Sequence, residues 1–197
     1  MSRIRPFRPG DEPALAEICV RTADAGQDAT GLLSDDAIWP AVFALPYAAR
    51  HPDLAFVVTD DADRARGYVV GTLDTDAFGA WFRDEWWPPY AQRWPRPSGR
   101  VTREDEVLLI GYGQGAEPNA YPGFPAHLHI DLLPELQGQG WGRRLIAVLV
   151  ERLRDAGVPG LHLVASAENA GAVAFYPRVG FAPLPASPSA RAFGMTL

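Results

Sequence analysis

The stretch Gln137-Gly138-Gln139-Gly140-Trp141-Gly142 constrains this chain more than any other. Upstream, His127-Leu128-His129-Ile130-Asp131-Leu132-Leu133 alternates polar and apolar residues, which predicts a β-strand. Downstream, Leu145, Ile146, Leu149, Val150 and Leu153 recur at helical spacing from Arg143 to Ala156, and Gly157 stops the run. A strand, a glycine-rich turn and a helix start together form an anion site. Glycine lets the backbone approach a ligand, and the first amides of a helix have no acceptor within it. The helix dipole adds positive potential at that end, which favours phosphate oxygens. The expectation is a phosphorylated ligand held mainly by backbone.

The rest of the composition narrows the class. The 197 residues are 47% hydrophobic, enough for one α/β domain with an excursion. A formal charge of −6 argues against nucleic acid or an anionic membrane as partners. It favours a cationic acceptor such as an amine. Cys19, the single cysteine, lies among Ala14, Leu15, Ile18 and Val20, so a buried thiol is expected. The start, Met1-Ser2-Arg3-Ile4-Arg5-Pro6, has no signal-peptide apolar region, and no apolar run approaches the ~20 residues of a membrane span. The cytoplasm is the expected compartment, and monomer and homodimer both stay open.

The expected elements follow in order. A short strand, Ile4 to Arg8, precedes a helix N-capped by Asp11. Ser34-Asp35-Asp36 caps a second helix carrying Ile38, Trp39, Val42 and Phe43. Leu54 to Val58 and Gly67 to Leu73 form an antiparallel hairpin across a polar turn. Residues 74–125 then break the rhythm as a Trp/Pro-rich insertion between central strands. A partial helix is expected around Phe78 to Trp86, a strand at Val107 to Ile110 and loop from Gly111 to Pro125. After the glycine turn and its helix come a strand at Leu161 to Ala165, a short helix from Asn169 to Tyr176, and strands at Phe181 to Leu184 and Ala192 to Leu197. No metal site is expected.

Which ligand the turn serves depends on what surrounds it. A nucleotide P-loop needs Lys-Ser or Lys-Thr after its last glycine, and Trp141-Gly142-Arg143 supplies neither. A Rossmann turn places its glycines directly after the strand and an acid about 20 residues on. Here Pro134-Glu135-Leu136 intervenes, and the strand at Leu161 to Ala165 carries no acid. A purely structural turn is the plain alternative.

The stretch Leu132 to Gly142 resembles the acetyl-CoA motif of the GNAT acetyltransferase superfamily. That motif is a Gln or Arg, two residues, Gly, one residue, then Gly or Ala, and Gln137, Gly140 and Gly142 match it. A second family segment is similar to Asn169-Ala170-Gly171-Ala172-Val173-Ala174-Phe175-Tyr176 and the Gly180-Phe181 pair that follows. Two departures stand out: Pro177 follows the tyrosine directly, and the insertion is longer than the usual connection. The run from His127 to Gly142 and the Trp-rich insertion are also similar to bacterial acetyltransferases related to the acetyltransferase-like domain of O-GlcNAc hydrolases. The resemblance implies an α/β fold with a mixed, mainly antiparallel central sheet flanked by helices, the whole of 1–197 forming one acetyltransferase-like domain.

It also implies acetyl-CoA as co-substrate. The coenzyme A pyrophosphate would sit on Gln137, Gly138, Gln139, Gly140, Trp141, Gly142 and Arg143. Pantetheine would run along Ile130, Leu132 and Leu133, and Asn169 and Tyr176 would complete the cofactor side. Tyr176 matches the family tyrosine that protonates the departing thiolate. For the base, strand alternation puts His127, His129 and Asp131 on one face, opposite Leu128, Ile130 and Leu132. Three polar side chains on one face of an apolar strand need partners or a cleft. His129 is the preferred base, because imidazole ordinarily titrates near neutrality. Asp131 would orient it or bind a cationic acceptor. Asp74, Trp81, Trp86 and His127 are the acceptor-side candidates; a base acting through water and a plain structural triplet remain open. The expected reaction is direct transfer of acetyl to a small-molecule, peptide or sugar amine in a ternary complex. The alternative is a non-catalytic CoA-binding module.

Overall fold

The computed structural model describes residues 2–197. Its strands are β1 (Arg3–Pro6), β2 (Ala55–Thr59), β3 (Ala65–Thr72), β4 (Ala126–Leu132), β5 (Gly160–Ser166), β6 (Ala182–Leu184) and β7 (Ala190–Thr196). They form one sheet in the order β1-β2-β3-β4-β5-β7-β6, antiparallel throughout except for β4 against β5. The helices are α1 (Glu12–Val20), α2 (Ile38–Phe43), α3 (Leu45–Arg50), α4 (Thr75–Trp81), α5 (Pro88–Arg93), α6 (Arg103–Gly113), α7 (Trp141–Asp155) and α8 (Ala170–Phe175).

The period-two alternation of the strands builds a core on each face. Phe56, Val58, Val69, Leu128 and Leu163 meet the apolar stripe of α7 on one side. Leu145, Leu149 and Leu153 there are fully buried, at about 1.5–3 kcal/mol of burial each. Gly71 in β3 permits this approach: a Cβ there would stand 3.3 Å from the Leu149 methyls and 3.1 Å from the His127 carbonyl. On the other face, Val57, Tyr68 and Val70 pack with α1, α2, α3 and the insertion.

Most expected elements are present, but α2 starts after Ala37 with no side-chain cap, so Ser34-Asp35-Asp36 does not cap it as expected. Asp11 occupies the N-cap position of α1, but its carboxylate accepts from the Arg5 guanidinium at 2.6 and 2.8 Å and from the Arg8 amide at 3.0 Å, tying β1 to the helix. The strand expected at Val107 to Ile110 is instead the middle of α6, which runs on into the expected loop as far as Gly113. Thr102 and Asp105 form a reciprocal capping box, and Glu104, Asp105 and Glu106 fill its first turn, so local chemistry favours helix over the β-branched look of the four apolar residues.

The insertion also holds α4, a π-helical turn over Phe82–Trp86 and α5, with loop at 94–102 and, as expected for most of its length, at 114–125. Its tryptophans fasten it to the body. Trp87 stacks on Phe82 at 5.5 Å and lies over Gly111, where a Cβ would meet the indole at 2.8 Å. The Trp86 indole donates to the Ala41 carbonyl at 2.9 Å, and the Trp94 indole to Asp35 at 3.0 Å.

Candidate active site

The strands β4 and β5 are in register only at Ala126↔Leu161 and His127↔His162. Beyond that point β4 continues to Leu132 along β3, and β5 continues to Ser166 along β7. A parallel pair that separates in mid-sheet leaves a wedge and an unpaired backbone edge on β4. The wedge opens into a cleft of about 930 Å³, lined by Ile130, Asp131, His129, Leu163, Asn169 and Tyr176 among others. One cleft therefore brings together the β4 polar face and the α8 segment.

The glycine turn stands beyond the end of β4. Gly138 and Gly140 take φ of +71° and +80°, in the left-handed region that side chains with a Cβ avoid. Gly140 is the N-cap of α7, so the amides of Trp141, Gly142 and Arg143 begin the helix with no acceptor inside it. Gly142 sits against Phe175, where a Cβ would lie 3.0 Å from the ring. The side chains here build the turn. Gln137 donates to the Leu132 carbonyl at 2.9 Å, Gln139 to the Glu135 carbonyl at 2.5 Å, and Arg143 to the Arg178 carbonyl at 2.9 Å. The Arg144 guanidinium lies over the Trp141 ring at 4.6 Å. The side chains of the turn are thus engaged within the protein, and the amides left free at the helix start are of the kind that suits an anion. Leu133 departs from its expected place: it is fully buried in the opposite core, and its amide donates to Arg66. Asn169 lines the cleft and N-caps α8, accepting from the Ala172 amide at 2.9 Å.

The polar triplet on β4 faces the cleft as the alternation implies. The Tyr47 hydroxyl lies 2.7 Å from His127 Nε2 and 3.1 Å from His129 Nε2. Thr75 Oγ1 lies 2.8 Å from His127 Nδ1. Tyr68 donates to an Asp131 carboxylate oxygen. Desolvation pushes Asp131 up from the ordinary carboxylate value, against the hydrogen bonds from Tyr68 and Thr22. It drives His127 well down, helped by the neighbouring histidines, and holds His129 at about 4. The expectation that His129 titrates near neutrality is thus corrected: in the free protein it is a neutral imidazole at pH 7. Tyr176 is pushed up, first by burial and then by the charge of Asp131, so its phenol stays protonated. Its ring packs on Phe181 and Phe193, and among the described residues no hydrogen bond engages its hydroxyl.

Three acceptor-side expectations are placed elsewhere. The Asp74 carboxylate accepts from the Ala77 amide at 2.9 Å and caps α4, outside the cleft lining. Trp81 lies under the Arg50 guanidinium and against Trp86, and Trp86 is fixed to α2. Neither indole lines the cleft. The cleft is lined instead by Trp39, Phe43 and Tyr47 from α2 and α3, with Arg103, Glu106 and Ile110 from α6. Sequence reasoning missed Tyr47, Tyr68 and Thr75. Each is a lone hydroxyl in a segment with no motif, and only the tertiary fold brings them to β4.

The sequence and fold have counterparts among known proteins. The model of the acetyltransferase (GNAT) family matches residues 69–181. Mycothiol acetyltransferase of Streptomyces coelicolor is 29% identical over 171 residues, covering 86% of this chain and 45% of that protein. Protein O-GlcNAcase of Rattus norvegicus is 24% identical over 186 residues, 90% of this chain and 20% of that protein. The chain therefore spans less than half the length of these curated relatives. The crystal structure of SsHAT superposes with a TM-score of 0.93 at 39% identity, covering 99% of this chain and 98% of that one. The chain belongs to the GNAT acetyltransferase family. Among the described residues, no helix is long and apolar enough to cross a membrane, and no cluster of His, Cys, Asp and Glu could hold a metal ion.

Proposed function

We propose that this chain transfers acetyl from acetyl-CoA directly to the nitrogen of an amine bound beside Asp131 and His129. The observation that carries the reading is that His129, Asp131 and Tyr176 line one cleft, which runs from the splayed edge of β4 to the aromatic wall of Trp39 and Phe43. Pantetheine along β4 at Ile130 would present the thioester there, and a β4 amide would bind the developing oxyanion.

Each group has a distinct role in this reading. Asp131 attracts the acceptor ammonium, which gives one proton to solvent in the cleft and so frees its nitrogen lone pair. The amine nitrogen attacks the thioester carbon, and the C–N bond forms as the C–S bond prepares to break. A base held at about 4 is poorly matched to a free alkylammonium. The nitrogen proton becomes far more acidic once the C–N bond forms, so His129 takes it at that stage. Tyr176, kept protonated, gives its proton to the leaving sulfur. The phenol recovers a proton from solvent, and the products are the amide and CoA thiol. A covalent acyl-enzyme is disfavoured, because the Cys19 thiol is buried and pushed far above its ordinary range.

The test is calorimetric titration with acetyl-CoA followed by CoA release across a panel of primary amines. Acetyl-CoA binding with acceptor-dependent release is the expected result. Binding without release from any amine would favour a CoA-binding module instead. The Tyr176→Phe variant adds the mechanistic arm: kcat at saturating acetyl-CoA should fall about tenfold or more, with CoA affinity unchanged. Unaltered turnover would remove Tyr176 as the acid.

A further inference from the structure

We propose that Thr75, His127 and Tyr47 form a directed hydrogen-bond chain that fixes His129 as the Nε2–H tautomer and leaves its Nδ1 bare to the cleft. The inference rests on the reading of His129 as the base and assigns the positioning residues behind it.

The direction follows from one fixed end. Thr75 Oγ1 lies 2.7 Å from the Pro125 carbonyl oxygen. A carbonyl has no hydrogen to give, and two oxygens at that distance need one between them, so the Thr75 hydroxyl donates to Pro125. Its single hydrogen is then used, and at 2.8 Å from His127 Nδ1 it can only accept. His127 therefore carries its proton on Nδ1. A neutral imidazole has one N–H, so His127 Nε2 is bare and must accept from Tyr47 at 2.7 Å. With its hydrogen committed, the Tyr47 oxygen accepts at 3.1 Å from His129 Nε2, which must be protonated. The lengths agree with these roles, since O–H donors make shorter bonds than N–H donors. Desolvation keeps both rings neutral near pH 7.

What remains is His129 Nδ1. Among the described residues no hydrogen bond engages it, and it is not one of the sealed polar atoms without a partner. His129 lines the cleft, so its one lone pair for a proton faces the acceptor. The chain crosses three elements: Thr75 at the start of α4, His127 and His129 on β4, and Tyr47 in α3. It gives the insertion a chemical task in addition to its packing.

The chain predicts an effect at a distance. Thr75→Val keeps the shape and the backbone bond from residue 75 to Pro125 but removes the acceptor for His127 Nδ1–H. His127 then turns its proton to Nε2 and donates to Tyr47. Tyr47 in turn donates to His129 Nε2, and His129 moves its proton to Nδ1, losing the free base site. Thr75→Ser restores the oxygen.

The experiment is long-range 1H–15N correlation of the imidazole rings in 15N-labelled protein without ligand near pH 7, paired with steady-state kinetics. The wild type should show His129 protonated on Nε2 and His127 on Nδ1. Thr75→Val should reverse both tautomers and lower kcat by about 100-fold, with KM for acetyl-CoA unchanged, and Thr75→Ser should recover both. Wild-type His129 protonated on Nδ1, or His127 on Nε2, would overturn the chain whatever the kinetics, and this measurement needs no variant to fold. Reversed tautomers with unchanged kcat would leave the hydrogen-bond direction intact and sink the base role of His129, so the two failures are distinguishable.

Discussion

The glycine turn and the cleft are built by opposite means. At the glycine turn the groups left free are backbone amides, and the side chains of Gln137, Gln139 and Arg143 are occupied in bracing the loop. At the proposed acceptor end, in the cleft, the polar groups are side chains brought from α2, α3, α4, α6, β3 and β4. A backbone site needs only the right φ and ψ over a few neighbouring residues. A side-chain site needs hydroxyls and imidazoles from distant segments within about 3 Å of one another. The first kind tolerates exchange of its side chains and fails when its glycines change. The second kind should be sensitive to single atoms and insensitive to events at the turn.

The largest expected break in this contrast comes from His129→Ala. It should lower kcat by about 10²- to 10³-fold and leave acetyl-CoA affinity within a factor of two, roughly, as binding at the other end does not use it. Parallel loss of affinity in a titration would show that the two ends are not independent. The imidazoles also make the acceptor end the acid-labile one. His129 at about 4 in the folded protein, against about 6.5 unfolded, binds its proton more weakly when folded. Stability is therefore lost as pH falls from about 6.5 toward 4, by up to about 3 kcal/mol in all and roughly 2 kcal/mol by pH 5. His127 acts in the same direction, and Asp131, pushed up, acts in the opposite one. Melting temperature should fall between pH 7 and pH 5, and the fall should be shallower in His129→Leu. An unchanged slope would mean that His129 is not desolvated.

The reciprocal break is Gly140→Ala. A Cβ there meets nothing within 4 Å, so the cost is conformational: about 1–2 kcal/mol for holding alanine at a left-handed φ. Acetyl-CoA affinity should weaken about tenfold as the amides turn away, while KM for the amine and the His129 tautomer stay as they were. Equal damage to amine KM would argue for one coupled site.

The same contrast explains what could be read from sequence. The turn was legible because its requirements are local: glycines at Gly138 and Gly140, a polar-apolar strand before them and an amphipathic helix after. The shared face of His127, His129 and Asp131 was legible for the same reason, since alternation is a local rule. Their partners were not. Tyr47 is 80 residues from His127 in the chain, and Thr75 is 52 away, and no periodicity links them. Trp81 and Trp86 drew attention as conspicuous aromatics, yet a helical insertion needs its own core, and that is where they went. The apolar run Val107 to Ile110 reads as strand by composition; the capping box from Thr102 to Asp105, which decides for helix, lies just ahead of it.

Asp74 offers the smallest and most discriminating effect. It follows β3 and points, by sequence, toward the acceptor side, where a carboxylate could attract an amine. In the fold its side chain accepts from the Ala77 amide and caps α4. The two roles separate cleanly. As a cap, Asp74→Ala should cost about 1 kcal/mol, a drop of roughly 2–4 °C in melting temperature for a chain of this size. Asp74→Ser, which keeps a capping oxygen without the charge, should recover most of it, and amine KM should not move in either variant. As an acceptor contact, both variants would raise amine KM alike, because both remove the charge. Thr75 is the next residue, so a cap that loosens α4 also tests the chain behind His129: kcat in Asp74→Ala should fall only as far as the Thr75 hydroxyl loses its place, and Asp74→Ser should restore it together with the melting temperature.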